Sequence, residues 1–232
     1  MAKNKNITLP LALAVKVELF RRGRFDFITS RDGKNHDKQQ QALSILTDSD
    51  HVEILYGGAA GGAKSWTGAV WLLFMCLAFA GTKWFIGRAE LKRITQSTYI
   101  TFKRVCAMYG VPEEMWSFNG QLNYIQFYNG SRIDFLDLQY KPSDPLYERY
   151  GSIEFTGGWI EEGGEVNFGA YDTLKTRIGR CLNEEYGLKR KLFITCTPRR
   201  IGCMIYSTSH TRLISLRNTA TTLLAWYRKI HS

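Results

Sequence analysis

The stretch Tyr56-Gly-Gly-Ala-Ala-Gly-Gly-Ala-Lys-Ser-Trp66 concentrates residue types that bind phosphate. Gly57, Gly58, Gly61 and Gly62, interleaved with Ala59, Ala60 and Ala63, let the backbone turn tightly and aim its N–H groups at an anion. Lys64 can reach the β- and γ-phosphates of a nucleoside triphosphate, and the Ser65 hydroxyl suits Mg²⁺. The usual spacing is G-x-x-x-x-G-K-S/T; Gly58 fits its first position, but Ala63 stands where the last glycine belongs. The plainer alternative is a glycine-rich turn with Lys64 in solvent.

Three further groups extend this chemistry. Glu161 and Glu162 follow a short apolar run, where the first acid would hold the Mg²⁺ shell and the second would polarise an attacking water. Adjacent acids at a strand end are otherwise simply solvated. Thr195-Cys-Thr-Pro198 puts polar side chains at a strand tip, where one could sense a γ-phosphate; the bland reading is a strand that stops before proline. Gln39, upstream of the loop, has an amide that both donates and accepts, as an adenine edge requires. It sits in a Gln-rich stretch that reads equally as an exposed helix face.

Such residues need a frame. An apolar β-type run over 51–56 leads into the glycine-rich loop, and a long apolar helix follows from Trp66 to about Ala80. The helix offers its positive end to the same anion. Residues 83–87 read as a second strand, and 89–108 show helical spacing with Lys92, Arg93, Lys103 and Arg104 on it. Two alternating runs, 122–128 and 131–136, flank Asn129-Gly130, a signal for a two-residue hairpin turn. That hairpin belongs at the edge of an otherwise parallel sheet. A loop over 139–151 carries Arg149, a helix and loop cover 171–180, and 191–195 form another strand. The expected fold is α/β: a mostly parallel sheet flanked by helices, with nucleotide at the C-terminal strand ends.

Composition narrows the partners. The 232 residues suffice for one α/β domain with an appendage, and a hydrophobic content of 44% marks a globular chain. A net charge of +10 points to a polyanion, nucleic acid first and an acidic membrane second. The 20–35 region mixes arginines with aromatics, as a nucleic-acid contact or as a solvated arm packed on the core. Cys76, Cys106, Cys181, Cys196 and Cys203 are scattered without a C-x-x-C pair, and the four histidines form no metal-spaced cluster. The apolar run 67–81 is short for a membrane span, which needs about 20 residues.

Taken in order, Lys38-Gln39, Gly57 to Ser65, Ile160-Glu-Glu162 and Thr195 to Pro198 resemble the ATPase domain of the large terminase subunit of tailed bacteriophages. The loop with alanine before the lysine is typical of that family. The resemblance covers roughly 36–198. It implies a P-loop ATPase that drives double-stranded DNA into a capsid, in the cytoplasm of the infected host at the procapsid portal. It implies ATP and Mg²⁺ as cofactors. Portal protein, small terminase subunit and a homo-oligomeric ring are the implied partners, with no membrane. Gln39 would read adenine, and the residues from Gly57 to Ser65 would hold the triphosphate. Ser65 and Glu161 would serve the metal, and Glu162 would be the catalytic base. Thr195 and Thr197 would couple hydrolysis to movement, although the family often has asparagine where Thr197 stands. Arg149 is similar in placement to an arginine that acts on the neighbouring subunit's ATP.

Three segments follow from this: a basic lead-in arm, 1–35; the ATPase domain, 36–198; and an atypical basic tail, 199–232. Family members carry a nuclease domain of RNase H type built on clustered acids. No Asp or Glu follows Glu185, so no nuclease activity is expected, through a truncated or shifted reading frame or a split terminase. The rival readings are another nucleic-acid-dependent P-loop ATPase, such as a helicase, and a non-catalytic nucleotide- or DNA-binding remnant.

Overall fold

Alternation along the strands sets the architecture of this computed structural model, which describes residues 8–57 and 63–197 and the backbone of Thr211–Ser215. Six strands run parallel: β1 (Glu53–Gly57), β2 (Lys83–Arg88), β5 (Arg132–Asp137), β6 (Gly157–Ile160), β7 (Lys191–Cys196) and β8 (Thr211–Ser215). With β3 (Trp116–Asn119) and β4 (Tyr124–Phe127), the sheet order is β3-β4-β5-β2-β6-β7-β1-β8. Ile54, Tyr56, Trp84, Ile86, Trp159 and Phe193 point into one core. Their neighbours Leu55, Phe85, Ile160, Leu192 and Ile194 point into a second core on the other face. Both faces are therefore covered, as a parallel sheet requires.

The larger core lies under α1 (Leu11–Arg21), α2 (Asp37–Thr47), α3 (Lys64–Ala78) and α5 (Tyr99–Met108). Fourteen of the fifteen residues of α3 are buried, so this helix is apolar all round because it is enclosed, not because it meets lipid. No described helix is long and apolar enough to cross a membrane. Leu13, Val17 and Phe20 of α1 join the same core. The second face is closed by α6 (Phe168–Lys175) and by Tyr147, Tyr150 and Phe155 of the preceding loop.

The structure differs from the sequence-based expectation in four places. The hairpin is the edge of a three-stranded antiparallel unit, because β3 (Trp116–Asn119) pairs with β4 (Tyr124–Phe127), which pairs with β5 (Arg132–Asp137). β5 then runs parallel to β2 and joins the unit to the main sheet. Phe127 N–H bonds the Ser131 carbonyl at 2.8 Å, so the turn Tyr128-Asn129-Gly130 has three residues, with Gly130 at φ +87°. The helical stretch after β2 is broken into α4 (Leu91–Arg93), a π-helical turn (Ile94–Thr98) and α5. Finally, the strand β8 comes from the tail, where the sequence shows no clean strand pattern; it pairs with β1 from Glu53↔Thr211 to Gly57↔Ser215.

Candidate nucleotide site

Because β1, β2, β6 and β7 are parallel, their C-terminal tips lie along one edge of the sheet, and the polar residues following each tip meet there. β1 ends at Gly57; the residues Gly58, Ala59, Ala60, Gly61 and Gly62 lie outside the described residues. Ala63 caps α3 in the left-handed region, φ 54° and ψ 17°, the backbone conformation for which the usual glycine is chosen. Lys64 and Ser65 then open the helix.

Lys64 is buried at the edge, and burial pushes its ammonium below its ordinary pKa, against the opposing pull of Glu162, Cys196 and Glu161. Ser65 Oγ donates to Glu161 Oε1 at 2.5 Å. Glu162 sits in the left-handed region at φ 50° and turns its carboxylate to the tip of β7. There the Thr197 N–H reaches Oε2 at 3.2 Å and the Thr197 hydroxyl reaches Oε1 at 3.1 Å. Lys64, Ser65, Glu162, Thr197, Gln39 and Tyr56 line one cleft of about 1080 Å³. Cys196 stays out of the polar chemistry: burial, with help from Glu162 and against Lys64, pushes its thiol up to about 12.

The donor set fits a hard cation. A hydroxyl and a carboxylate in contact at the start of a helix supply oxygen ligands of the kind Mg²⁺ takes beside substrate phosphates. The cleft fits a nucleotide base in one respect as well. Gln39 is 2% exposed, and its Nε2 donates to Thr67 Oγ1 at 3.3 Å. Its Oε1 is buried with no hydrogen-bond partner among the described residues, an acceptor that an amino group entering the cleft could satisfy.

Comparison with known proteins gives this site a family. A family model described as "Phage terminase large subunit" matches residues 49–208, more than half of the chain. The chain belongs to the phage terminase large subunit family. Its fold is similar to that of a large terminase from a thermophilic bacteriophage in complex with ADP, with TM-score 0.57 and 14% identity over 70% of this chain and 39% of that one. The large terminase of bacteriophage HK97 gives TM-score 0.57 and 12% identity over 80% of this chain and 38% of that one. The ATPase domain of a Thermus phage large terminase gives TM-score 0.52 and 10% identity, and there the match covers 84% of this chain and 87% of that one. The terminase chain thus spans under two-fifths of the length of the two large terminases and most of the length of the isolated ATPase domain. No curated protein matches it.

Within this terminase chain, the sequence-picked residues divide. Lys64, Ser65, Glu161, Glu162, Thr197 and Gln39 come together. Thr195 does not reach the acids: it is buried, and its Oγ1 accepts from Trp159 Nε1 at 3.0 Å. Arg149 lies away from the cleft, where it bonds Asp144, the Asp137 carbonyl at 3.2 Å and the Gln139 carbonyl at 2.7 Å. Two residues that sequence reading passed over touch Glu161. Thr98 Oγ1 donates to Glu161 Oε2, and Arg88 Nη1 stands 3.4 Å from the same oxygen. Arg88 ends β2, one step past the pair Gly87↔Ile160, so only the strand order could have placed it beside Glu161.

Proposed function

We propose that this chain is the ATP-hydrolysing motor domain of a large terminase, which moves double-stranded DNA into a phage capsid. The observation that carries the reading is the meeting of Lys64, the Ser65–Glu161 pair and Glu162 at one cleft on the C-terminal edge of the sheet. In this reading the ATPase unit spans 36–198, with α1 packed on it and β8 extending its sheet.

Lys64, already desolvated and short of its ordinary pKa, gains when a triphosphate enters and holds the β- and γ-phosphates. Ser65 and Glu161 hold Mg²⁺, which neutralises charge on the phosphate oxygens when bound. Glu162 orients the attacking water and takes its proton, and Thr197 aims that carboxylate. Gln39 receives the adenine amino group on its free acceptor. Arg149, held away from its own cleft, acts on a neighbouring subunit's nucleotide in a homo-oligomeric ring assembled at the portal with the small subunit. The DNA is held by exposed cations; residues 91–112 contain no acid, and Lys92, Lys103 and Arg104 are exposed there.

The test is Mg²⁺-dependent ATP turnover by the purified chain, with and without double-stranded DNA, beside Lys64→Ala and Glu162→Gln. Turnover that falls by about 10²-fold or more in both variants supports the ATPase. Stimulation by DNA supports the motor. ATP binding without turnover, in the presence of DNA, would replace this reading with a non-catalytic nucleotide-binding chain.

A further inference from the structure

The two oxygens of Glu161 have different surroundings. Oε1 accepts from Ser65, the hydroxyl at the start of α3. Oε2 is held from the opposite side by Thr98 and Arg88. Thr98 is fully buried and ends the π-helical turn, in which Tyr99 N–H bonds the Ile94 carbonyl five residues back. A π turn inside a helix is a rare irregularity, frequently found at functional sites. Here it brings Thr98 inward beside buried Ile94 before α5 resumes with its own apolar face at Phe102 and Val105.

Arg88 is equally committed. Its Nε lies 3.9 Å from Glu165 Oε2, and Glu165 Oε1 meets Arg93 Nη1 at 3.4 Å. Arg93 in turn pairs with Glu90 at 3.0 Å. Glu161 is therefore the inner end of an alternating chain of charges that runs out to the surface at α4. A buried carboxylate at a strand tip, with two rotatable bonds beyond Cβ, needs such partners to remain in one orientation.

We propose that Thr98 and Arg88 are positioning residues: they fix Oε2 of Glu161 so that Oε1 stays turned to Ser65 and to a divalent cation bound with nucleotide. This rests on the assignment of Ser65 and Glu161 to Mg²⁺. The two residues come from β2 and the π turn, outside the loop and the acid pair, and they act through Glu161 without touching phosphate. Partners one step behind a metal ligand commonly change metal affinity by about 10–100-fold.

The measurement is ADP binding by calorimetry at zero and saturating Mg²⁺, with Mn²⁺ binding in the presence of ADP followed by electron paramagnetic resonance. Thr98→Val keeps the shape and removes the hydroxyl; Thr98→Ser keeps the hydroxyl. The expected result is that Thr98→Val binds ADP normally without metal but loses about tenfold in Mn²⁺ affinity, and that Thr98→Ser recovers most of it. Arg88→Gln gives the same direction and serves if Thr98→Val fails to fold by circular dichroism. Metal affinity unchanged in the folded variants overturns the proposal, as does wild-type ADP binding that ignores the metal. Neither readout uses turnover. A chain that binds metal–ADP but does not hydrolyse ATP would fail the proposed function while leaving this inference standing.

Discussion

Thr197 holds Glu162 with two donors at once, its N–H on one carboxylate oxygen at 3.2 Å and its hydroxyl on the other at 3.1 Å. The contact follows from strand order. β7 lies between β1 and β6, so whatever follows its tip falls between the tip of β1 and the acid pair. Removing the hydroxyl with Thr197→Ala leaves the backbone bond and frees one side of the carboxylate. We expect kcat to fall by about tenfold with KM for ATP little changed, since an aiming contact acts in the transition state more than in binding. Steady-state ATPase kinetics decide it; a large rise in KM at constant kcat would place Thr197 in nucleotide binding instead.

Ala63, at φ 54°, carries a local strain. A residue with a Cβ in the left-handed region costs about 1 kcal/mol relative to glycine. Ala63→Gly should therefore raise Tm by about 2–4 °C, and Ala63→Val should lower it, because a β-branched side chain fits the region worse. Thermal denaturation followed by circular dichroism tests both. A lower Tm for Ala63→Gly would mean that the flexibility it adds to the unfolded chain outweighs the strain it removes.

The strand, the helix and the place of Lys64 and Ser65 at the helix start were legible in the sequence because that signal is local: glycines, Lys64 and Ser65 in a row after an apolar run. The acid strand was faint for the opposite reason. A Cβ on Gly158 would stand 2.1 Å from the Phe85 ring, and one on Gly157 would stand 2.7 Å from the Trp84 ring. β6 has glycines where a strand should have bulk because aromatic side chains of β2 fill that space. On the same strand Trp159 fills the room left by Gly68 of α3, whose own Cβ would stand 2.7 Å from the indole. Such complementarity is tertiary and leaves no period in the sequence. Thr98 and Arg88 were missed likewise, since their partner Glu161 is 63 and 73 residues away. Strand β3 is only four residues long and follows a single 3₁₀ turn, too short to show alternation.

At the opposite edge of the sheet, buried Lys191 ties three elements together. Its ammonium donates to the Ile45 carbonyl at the end of α2, to Asp48 Oδ1 at 2.7 Å and to the His51 carbonyl just ahead of β1. Burial alone would raise the Asp48 pKa. Hydrogen bonds from Lys191, the His51 backbone and the His51 ring outweigh it and pull the carboxyl from its ordinary 3.8 to about 2. A pKa depressed by folding contributes stability that is complete above pH 3.8 and is lost as pH falls through about 2. Asp48→Asn should cost on the order of 2 kcal/mol at neutral pH, and the gap from wild type should narrow as pH drops from 5 towards 2.5. Urea denaturation across that range is the measurement, and a gap that stays constant would separate the Asp48 carboxylate from the pH dependence.

The helix that presents Thr98 inward presents cations outward, and this decides where DNA should be sought. Lys92 and Lys103 are exposed, and Lys103 lies over the Tyr99 ring at 5.2 Å, a contact that leaves its charge available to phosphate. Arg93 is different, being engaged with Glu90 and Glu165. Replacing Lys92 or Lys103 by alanine should weaken binding to double-stranded DNA about equally for all sequences. Each loss should flatten the slope of log affinity against log salt by about one unit. Arg93→Ala should flatten it less, because its charge is already opposed by two carboxylates. Fluorescence anisotropy on two unrelated duplexes, from low to moderate salt, reads both effects. An unchanged slope in the two lysine variants would move the DNA contact off this helix, and a sequence-dependent loss would show that these lysines reach base edges instead of the backbone.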